Sequence, residues 1–242
     1  MTPSKENVNW HTYAQKYDML LEFNPFYQAL RKEVLKKSAN WKLVKGDTLI
    51  DLGGGTGNYS IEIAKQHPLA NIIHIDNDKG MIERVRDKIL NQKVSNITII
   101  KQSASSVKFS KGSIKGLICI HALYTFPEPT SILEKIYNWS SKNGKVILVD
   151  PGRTINVLGW QLAIGFHLIK NHGLPKALSI MKAGNEVSKQ NKYLAKMQKE
   201  GKLWLHSHDE FCGHIEDTGF VIEKSFKTFR GISDFVVAKK PH

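Results

Sequence analysis

Seven consecutive residues, Asp51-Leu52-Gly53-Gly54-Gly55-Thr56-Gly57, have the types and spacing to hold a ligand. A glycine-rich turn between a strand and a helix brings a bound molecule against backbone amides at the helix N-terminus. A second acid, Asp76, lies 19 residues past Gly57. That is the distance at which a strand-helix-strand unit presents a carboxylate to a ribose. The glycine pattern also excludes ligands. A dinucleotide fingerprint needs G-x-G-x-x-G, and counting from Gly53 the third glycine position is Asn58. A phosphate loop needs Gly-Lys-Ser/Thr, and the turn holds no lysine. What remains is acid-x-Gly-x-Gly-x-Gly.

The flanking residues supply the elements that such a turn requires. Thr48-Leu49-Ile50 reads as a buried strand, and Asn58 to Gln66, with Ile61, Ile63 and Ala64, suits a helix packed on a sheet. The next apolar run, Asn71 to Ile75, is a second strand that ends on Asp76.

This arrangement resembles motif I of the class I S-adenosylmethionine-dependent methyltransferases, and the resemblance covers about three quarters of the chain. Their ligand has no phosphate. Its carboxylate and ammonium need amides and carbonyls, and its ribose diol needs an acid. Asp78 to Glu83 looks like the start of the helix after the second strand, where the family commonly places a methionine (here Met81) near the adenine. Ile97 to Lys101 reads as a third strand. Gln102-Ser103-Ala104 follows where the family usually has Gly-Asp-Ala, so an uncharged Ser103 stands for the aspartate that takes the adenine amino group. Ile114-Lys115-Gly116-Leu117 occupies the usual Phe-Asp-x-Val, which makes Lys115 the second departure. The resemblance implies S-adenosylmethionine as methyl donor. It implies donor contacts from Asp51, Gly53, Gly54, Gly55, Gly57, Asp76, Asn77, Met81, Ser103, Ala104, Ile120 and Tyr17.

Further along, Leu117 to Ile120 is a fourth strand, Ser131 to Trp139 has helical apolar spacing, Lys142 to Lys145 is a turn, and Val146 to Val149 is a fifth strand ending on Asp150. Asp209 to Thr218 suits a helix stopped by Gly219, and residues 220–223 and 235–240 look like a closing antiparallel pair. The expected fold is α/β: a doubly wound, mostly parallel seven-stranded sheet, Rossmann-like, with a helical cap inserted after the fifth strand. N-terminal lid helices are expected over 1–40, the core over 41–150 and 206–242, and the cap over 151–205.

With 242 residues, one large α/β unit fits better than two. Cys119 and Cys212 lack metal-ligand or redox spacing, which suits a reducing cytoplasm. No secretory apolar segment is visible at the N-terminus, and the apolar tract Ile155–Ile169 is too short and polar to span a bilayer. The net charge of +13 comes almost wholly from lysine, with only five arginines. Nucleic-acid binders usually mix arginine with aromatics, so a solvated lysine surface is favoured over a nucleic-acid partner. Peripheral contact with an anionic membrane stays open.

The acceptor must be met by whatever covers the strand ends. One such segment is the aromatic-rich stretch Trp10, Tyr13, Tyr17, Leu20, Leu21 and Phe23, which looks like the N-terminal lid of small-molecule members of the family. The other is 151–205. Its residues 157–169 are apolar on nearly all faces, and from 170 to 203 it carries eight lysines against Glu186 and Glu200. An apolar or amphipathic acceptor (a lipid, isoprenoid or secondary metabolite) suits such a cap, and simple packing of the cap explains the same pattern. Because the donor's methyl is already activated, alignment and water exclusion do most of the work, with a base needed for some acceptors only. His121, Tyr124 and Tyr17 are the candidates to face the acceptor, followed by Asp150 and Arg153. His206 and His208 are two apart with no third clear ligand, so capping of the next helix by Ser207 or His208 is preferred to metal binding. Two other classes remain. One is methylation of RNA, DNA or protein; exocyclic base-nitrogen methylation is disfavoured because Ile120-His121-Ala122-Leu123 replaces Asn/Asp-Pro-Pro-aromatic, and no separate RNA-binding module fits in the remaining length. The other is a non-catalytic S-adenosylmethionine-binding module, for which Ser103 and Lys115 speak.

Overall fold

The fold follows from short apolar runs alternating with amphipathic helices. A computed structural model describes Ala14 and residues 17–242; Trp10 and Tyr13 lie outside the described residues. In chain order the elements are α1 (Met19–Phe23), α2 (Pro25–Ser38), β1 (Thr48–Leu52), α3 (Ser60–Gln66), β2 (Asn71–Asp76), α4 (Lys79–Gln92), β3 (Ile97–Lys101), β4 (Ile114–Ile120), α5 (Pro129–Trp139) and β5 (Ser140–Pro151). They continue with α6 (Val157–His172), α7 (Leu174–Ala183), α8 (Asn185–Lys199), α9 (His208–Asp217), β6 (Val221–Thr228) and β7 (Ser233–Lys239). The strands form one seven-stranded sheet in the order β3-β2-β1-β4-β5-β7-β6. β7 runs antiparallel between β5 and β6, while β1 to β5 are parallel.

Helices cover both faces, which is why the central strands are apolar throughout. Alternate residues of a strand point to opposite faces. Leu117 and Cys119 therefore join the core under α5 and α9, with Ile136, Trp139, Phe211 and Ile215. Ile118 and Ile120 join the opposite core under α2 and α3, with Tyr27, Leu30, Val34 and Ile63. Local signals fix the helix starts. Asn24 accepts from the Phe26 and Tyr27 amides ahead of α2, with Pro25 in the first turn. Ser207 and Glu210 form a capping box at α9.

Helices α6 to α8 are inserted between β5 and α9. The chain leaves and returns at one point, where the His206 amide donates to the Gly152 carbonyl at 3.1 Å. A Cβ on Gly152 would stand 2.2 Å from the His206 carbonyl oxygen, so only glycine fits that junction.

One local expectation is corrected. Residues 142–145 do not form a free turn between α5 and the fifth strand, because β5 already begins at Ser140. Its register against β4 shifts there, with Asn143 left-handed at φ 56°. The Asn143 amide donates to the Lys240 carbonyl and the Lys240 amide to Gly144, and this pairing with the chain end keeps the segment extended.

Candidate functional site

The glycine turn sits at the C-terminal end of β1, between the ends of β2 and β4. The Gly53 and Gly54 amides both donate to the Ile75 carbonyl, at 2.9 and 3.0 Å. Gly53, Gly55 and Gly57 take φ values of 71°, 56° and 79°, the left-handed region that glycine tolerates. A Cβ on Gly53 would stand 2.4 Å from that of Ala122, whereas one on Gly55 would meet nothing closer than the Met81 sulfur at 3.8 Å. Gly55 thus leaves its open side to a cavity. Gly57 does not line that cavity. A Cβ there would lie 2.3 Å from Val85, so its glycine is needed for the close approach of α4.

Beneath the turn, Asp51 is buried and accepts from the Ser60 amide at 3.1 Å and from the Ser60 hydroxyl. The same hydroxyl lies 2.7 Å from His74 Nδ1. Burial raises the Asp51 carboxyl to about 7 and lowers His74 to about 4. This Asp51-Ser60-His74 chain ties β1, α3 and β2 together. Gly54 seals it from above, since a Cβ there would stand 2.4 Å from the His74 ring. His74 reads in the sequence only as one residue of a strand.

The cavity has a volume of about 340 Å³ and brings together Asp51, Gly53, Gly54, Gly55, Asp76, Asn77, Met81, Ser103, Ala104 and Ile120. Asp76 Oδ2 accepts from the Gly55 amide and Oδ1 from the Asp78 amide, each at 2.9 Å. Burial raises its pKa while these amides oppose the shift. Asp78 caps α4 by accepting from the Met81 amide, which positions Met81 at the wall. The Ser103 hydroxyl donates to Ser106 at 3.0 Å. Lys115 stands near the N-terminal end of the central strand β4, away from the strand ends that bear the cavity. Asn58, Tyr59, Gln102 and Phe126 also line the cavity, unforeseen from their spacing. Asn58 Nδ2 and the Tyr59 hydroxyl are buried and make no hydrogen bond of ordinary length, the Tyr27 hydroxyl being close enough to both for a weak one. Weakly satisfied buried donors beside a glycine turn and a carboxylate fit a ligand carrying its own carboxylate and a diol, as S-adenosylmethionine does.

A second cavity, also about 340 Å³, lies between the N-terminal helices, the inserted helices and the ends of β5 and β7. Its lining is mainly apolar and includes Phe23, Tyr124, Trp160, Ile164, Leu168, Ile180, Leu194 and Phe229. Tyr17, Tyr27 and His121 line both cavities. The Tyr17 and Tyr27 hydroxyls are 3.3 Å apart, and burial pushes both phenols well above their usual range. His121 holds a left-handed φ of 52°, which directs its ring to the junction of the cavities. There Nε2 lies 2.9 Å from the Ser233 hydroxyl, and burial lowers the imidazole to about 4. Asp18 fastens the N-terminal segment to the turn by accepting from the Thr56 hydroxyl at 2.8 Å, from Arg84 at 3.0 Å and from Lys88 at 3.0 Å. Burial works to raise the Asp18 pKa, but Lys88 and Thr56 lead the contacts that hold it below the ordinary value.

Asp150 and Arg153 are corrected. Neither lines either cavity. Asp150 pairs in register with Asp234 on β7, and two buried carboxylates side by side demand cations. His206 stands 3.7 Å from Asp150 and 3.5 Å from Asp234, His208 bonds Asp234 at 2.8 Å, and Arg153 bonds Asp234 and the Gly231 carbonyl. Burial raises Asp150 to about 6, while His206, Arg153 and His208 overcome burial to hold Asp234 at about 2. Both residues belong to a structural ionic cluster behind the apolar cavity, and His206 and His208 are part of it.

Comparison with known proteins agrees with this geometry. Residues 43–219 match the family described as "Methyltransferase domain". A demethylmenaquinone methyltransferase of Lactobacillus johnsonii is 30% identical over 136 residues, 54% of each chain, so the match spans about half of that relative's length. A demethylmenaquinone methyltransferase of Listeria monocytogenes is 23% identical over 213 residues, covering 88% of this chain and 82% of its own. Among solved structures, a SAM-dependent methyltransferase from Aquifex aeolicus superposes with a TM-score of 0.62 at 16% identity, over 95% of this chain and 97% of that one, which shows a shared fold. Sheet order, glycine turn and family match converge, and the chain belongs to the class I S-adenosylmethionine-dependent methyltransferases.

Proposed function

We propose that this protein methylates a small apolar or amphipathic acceptor, of the prenylated-quinol or isoprenoid kind, with S-adenosylmethionine as donor. The observation that carries this reading is the common wall of Tyr17, Tyr27 and His121 between a polar cavity at the glycine turn and an apolar cavity under the inserted helices. The names of the two relatives, both demethylmenaquinone methyltransferases, support an acceptor with a ring and an apolar tail.

When bound, S-adenosylmethionine supplies a methyl group already activated by its sulfonium. Asn58 and Tyr59, beside the turn, would hold its amino-acid end. Asp76 would hold the ribose diol, and Met81, Ser103 and Ala104 would border the adenine. At the shared wall the two phenols remain protonated and His121 remains neutral. They can therefore orient an acceptor hydroxyl by hydrogen bonds without adding charge to an apolar site. Trp160, Ile164 and Leu168 would exclude water around the acceptor. The inserted helices would act as the substrate cap and residues 17–38 as a lid.

The test is transfer of an isotopically labelled methyl group from S-adenosylmethionine to a short-chain demethylated naphthoquinol, beside a soluble catechol and a bulk RNA sample. Label in the quinol product alone is expected. Label in RNA, or in the catechol in preference to the quinol, would overturn the proposed acceptor class.

A further inference from the structure

Helix α6 is apolar on two opposite sides, and only one of them is explained by the cavity. Trp160, Ile164 and Leu168, at intervals of four, face inward. Leu158, Leu162, Phe166 and Ile169 form a second stripe on the outside, with Leu162 67% and Phe166 73% exposed. On the adjoining α7, Leu174, Leu178 and Met181 continue the exposed strip, while Ala177 and Ile180 pack inward against Leu168. Seven large apolar side chains thus stand side by side at the surface, more than scattered exposure accounts for. The charge around them has one sign. Between Asp150 and Glu186 the sequence has no acidic residue, while Lys170, Lys176 and Lys182 are exposed on the same two helices, Lys182 also lining the apolar cavity.

We infer that the outer face of α6 and α7 docks on the surface of an anionic lipid bilayer. An apolar strip rimmed by lysines matches acyl chains beneath negatively charged headgroups. Self-association of this face would instead bring the lysine rims of two copies together without counter-charge. Among the described residues no helix is long and apolar enough to cross a membrane, so the helix pair lies in the interface. Met181 is both in the exposed strip and in the cavity lining, so the docked face borders the apolar cavity directly. The docking surface does not depend on which acceptor is methylated.

The experiment is sedimentation of the full chain with vesicles of phosphatidylcholine alone or mixed with phosphatidylserine. Two variants accompany it, Leu162→Ser with Phe166→Ser, and Lys170→Gln with Lys176→Gln. Partition at least about tenfold stronger onto the anionic vesicles is expected, with a loss of about tenfold or more in each variant. S-adenosylhomocysteine titration and a thermal melt show that each variant is folded and keeps its donor site. Equal or absent binding to both vesicle types overturns the inference. So does a dimer that dissociates in the leucine–phenylalanine variant while vesicles are ignored, since a second copy would then be the occupant. Loss of vesicle binding with intact methyl transfer separates this inference from the proposed function.

Discussion

The Gly55 amide donates to Asp76 Oδ2 at 2.9 Å, so the turn after β1 and the end of β2 are held as one unit. The Asp78 amide takes the other oxygen, and the carboxylate lines the cavity where a diol would sit. Asp76→Ala removes both the diol acceptor and the anchor of the turn. Affinity for S-adenosylmethionine and S-adenosylhomocysteine should fall by about 10- to 100-fold, measured by calorimetric titration. An unchanged affinity would remove Asp76 from the donor site.

Gly55 and Gly57 separate ligand binding from folding. At Gly57 an added Cβ meets both a φ of 79° and Val85 at 2.3 Å. Gly57→Ala should lower unfolding free energy in urea by about 2–4 kcal/mol, and Val85→Ala should restore part of it by relieving the contact. Gly55→Ala carries only the backbone cost, about 1 kcal/mol, because its Cβ would have space. Its larger effect should be on donor affinity.

His121 offers a test that a packing role would not pass. Asn tolerates the left-handed backbone at this position, so His121→Asn should fold. Turnover should drop by about 10- to 100-fold while donor affinity holds. Burial puts the imidazole at about 4, so wild-type turnover should show no histidine limb near pH 6.5. A limb there that disappears in the variant would place His121 in solvent.

Stability should be lost on the alkaline side of neutrality. Burial opposes protonation of His206, yet the adjacent Asp150 and Asp234 carboxylates, 3.7 and 3.5 Å away, raise it to about 9. A raised folded pKa gives stability that is complete below the unfolded value near 6.5 and disappears as pH climbs through about 9. Burial lowers His74 and His121 to about 4, a contribution lost as pH falls from about 6.5 through about 4. It also raises Asp51 to about 7 and Asp150 to about 6, whose contributions grow as pH falls, so the two pairs oppose each other on the acid side. The thermal midpoint should therefore decline from pH 7 toward 9.5, and His206→Gln should flatten that alkaline decline. A wild-type midpoint that is level across this range would show that the cluster does not hold a protonated His206.

The strands around the turn were legible because each is a short apolar run bounded by glycine or a polar residue. Ile97–Lys101 has its expected limits, and α9 starts at its Ser207 cap. The polar cavity was legible wherever the motif fixes backbone positions. Asn58 and Tyr59 were missed because their side chains meet the cavity only once α3 is packed. Asp150 and Arg153 misled for a related reason. They stand at the end of a parallel strand, where ligands usually gather, but the antiparallel β7 brings Asp234 beside Asp150. No local pattern in residues 140–153 announces that neighbour. Nor does spacing show that Asp18 reaches Thr56, 38 positions away.

The bond from the His206 amide to the Gly152 carbonyl closes the inserted helices into a loop with its ends in contact. Excursions that start and finish at the same place can change length and content without disturbing the sheet that bears them. The sheet, turn and donor cavity on one side, and α6 to α8 on the other, are therefore free to diverge at different rates. On the proposed reading of these helices as the substrate cap, a graft between Gly152 and His206 is the unit that would carry acceptor preference from one member of this family to another.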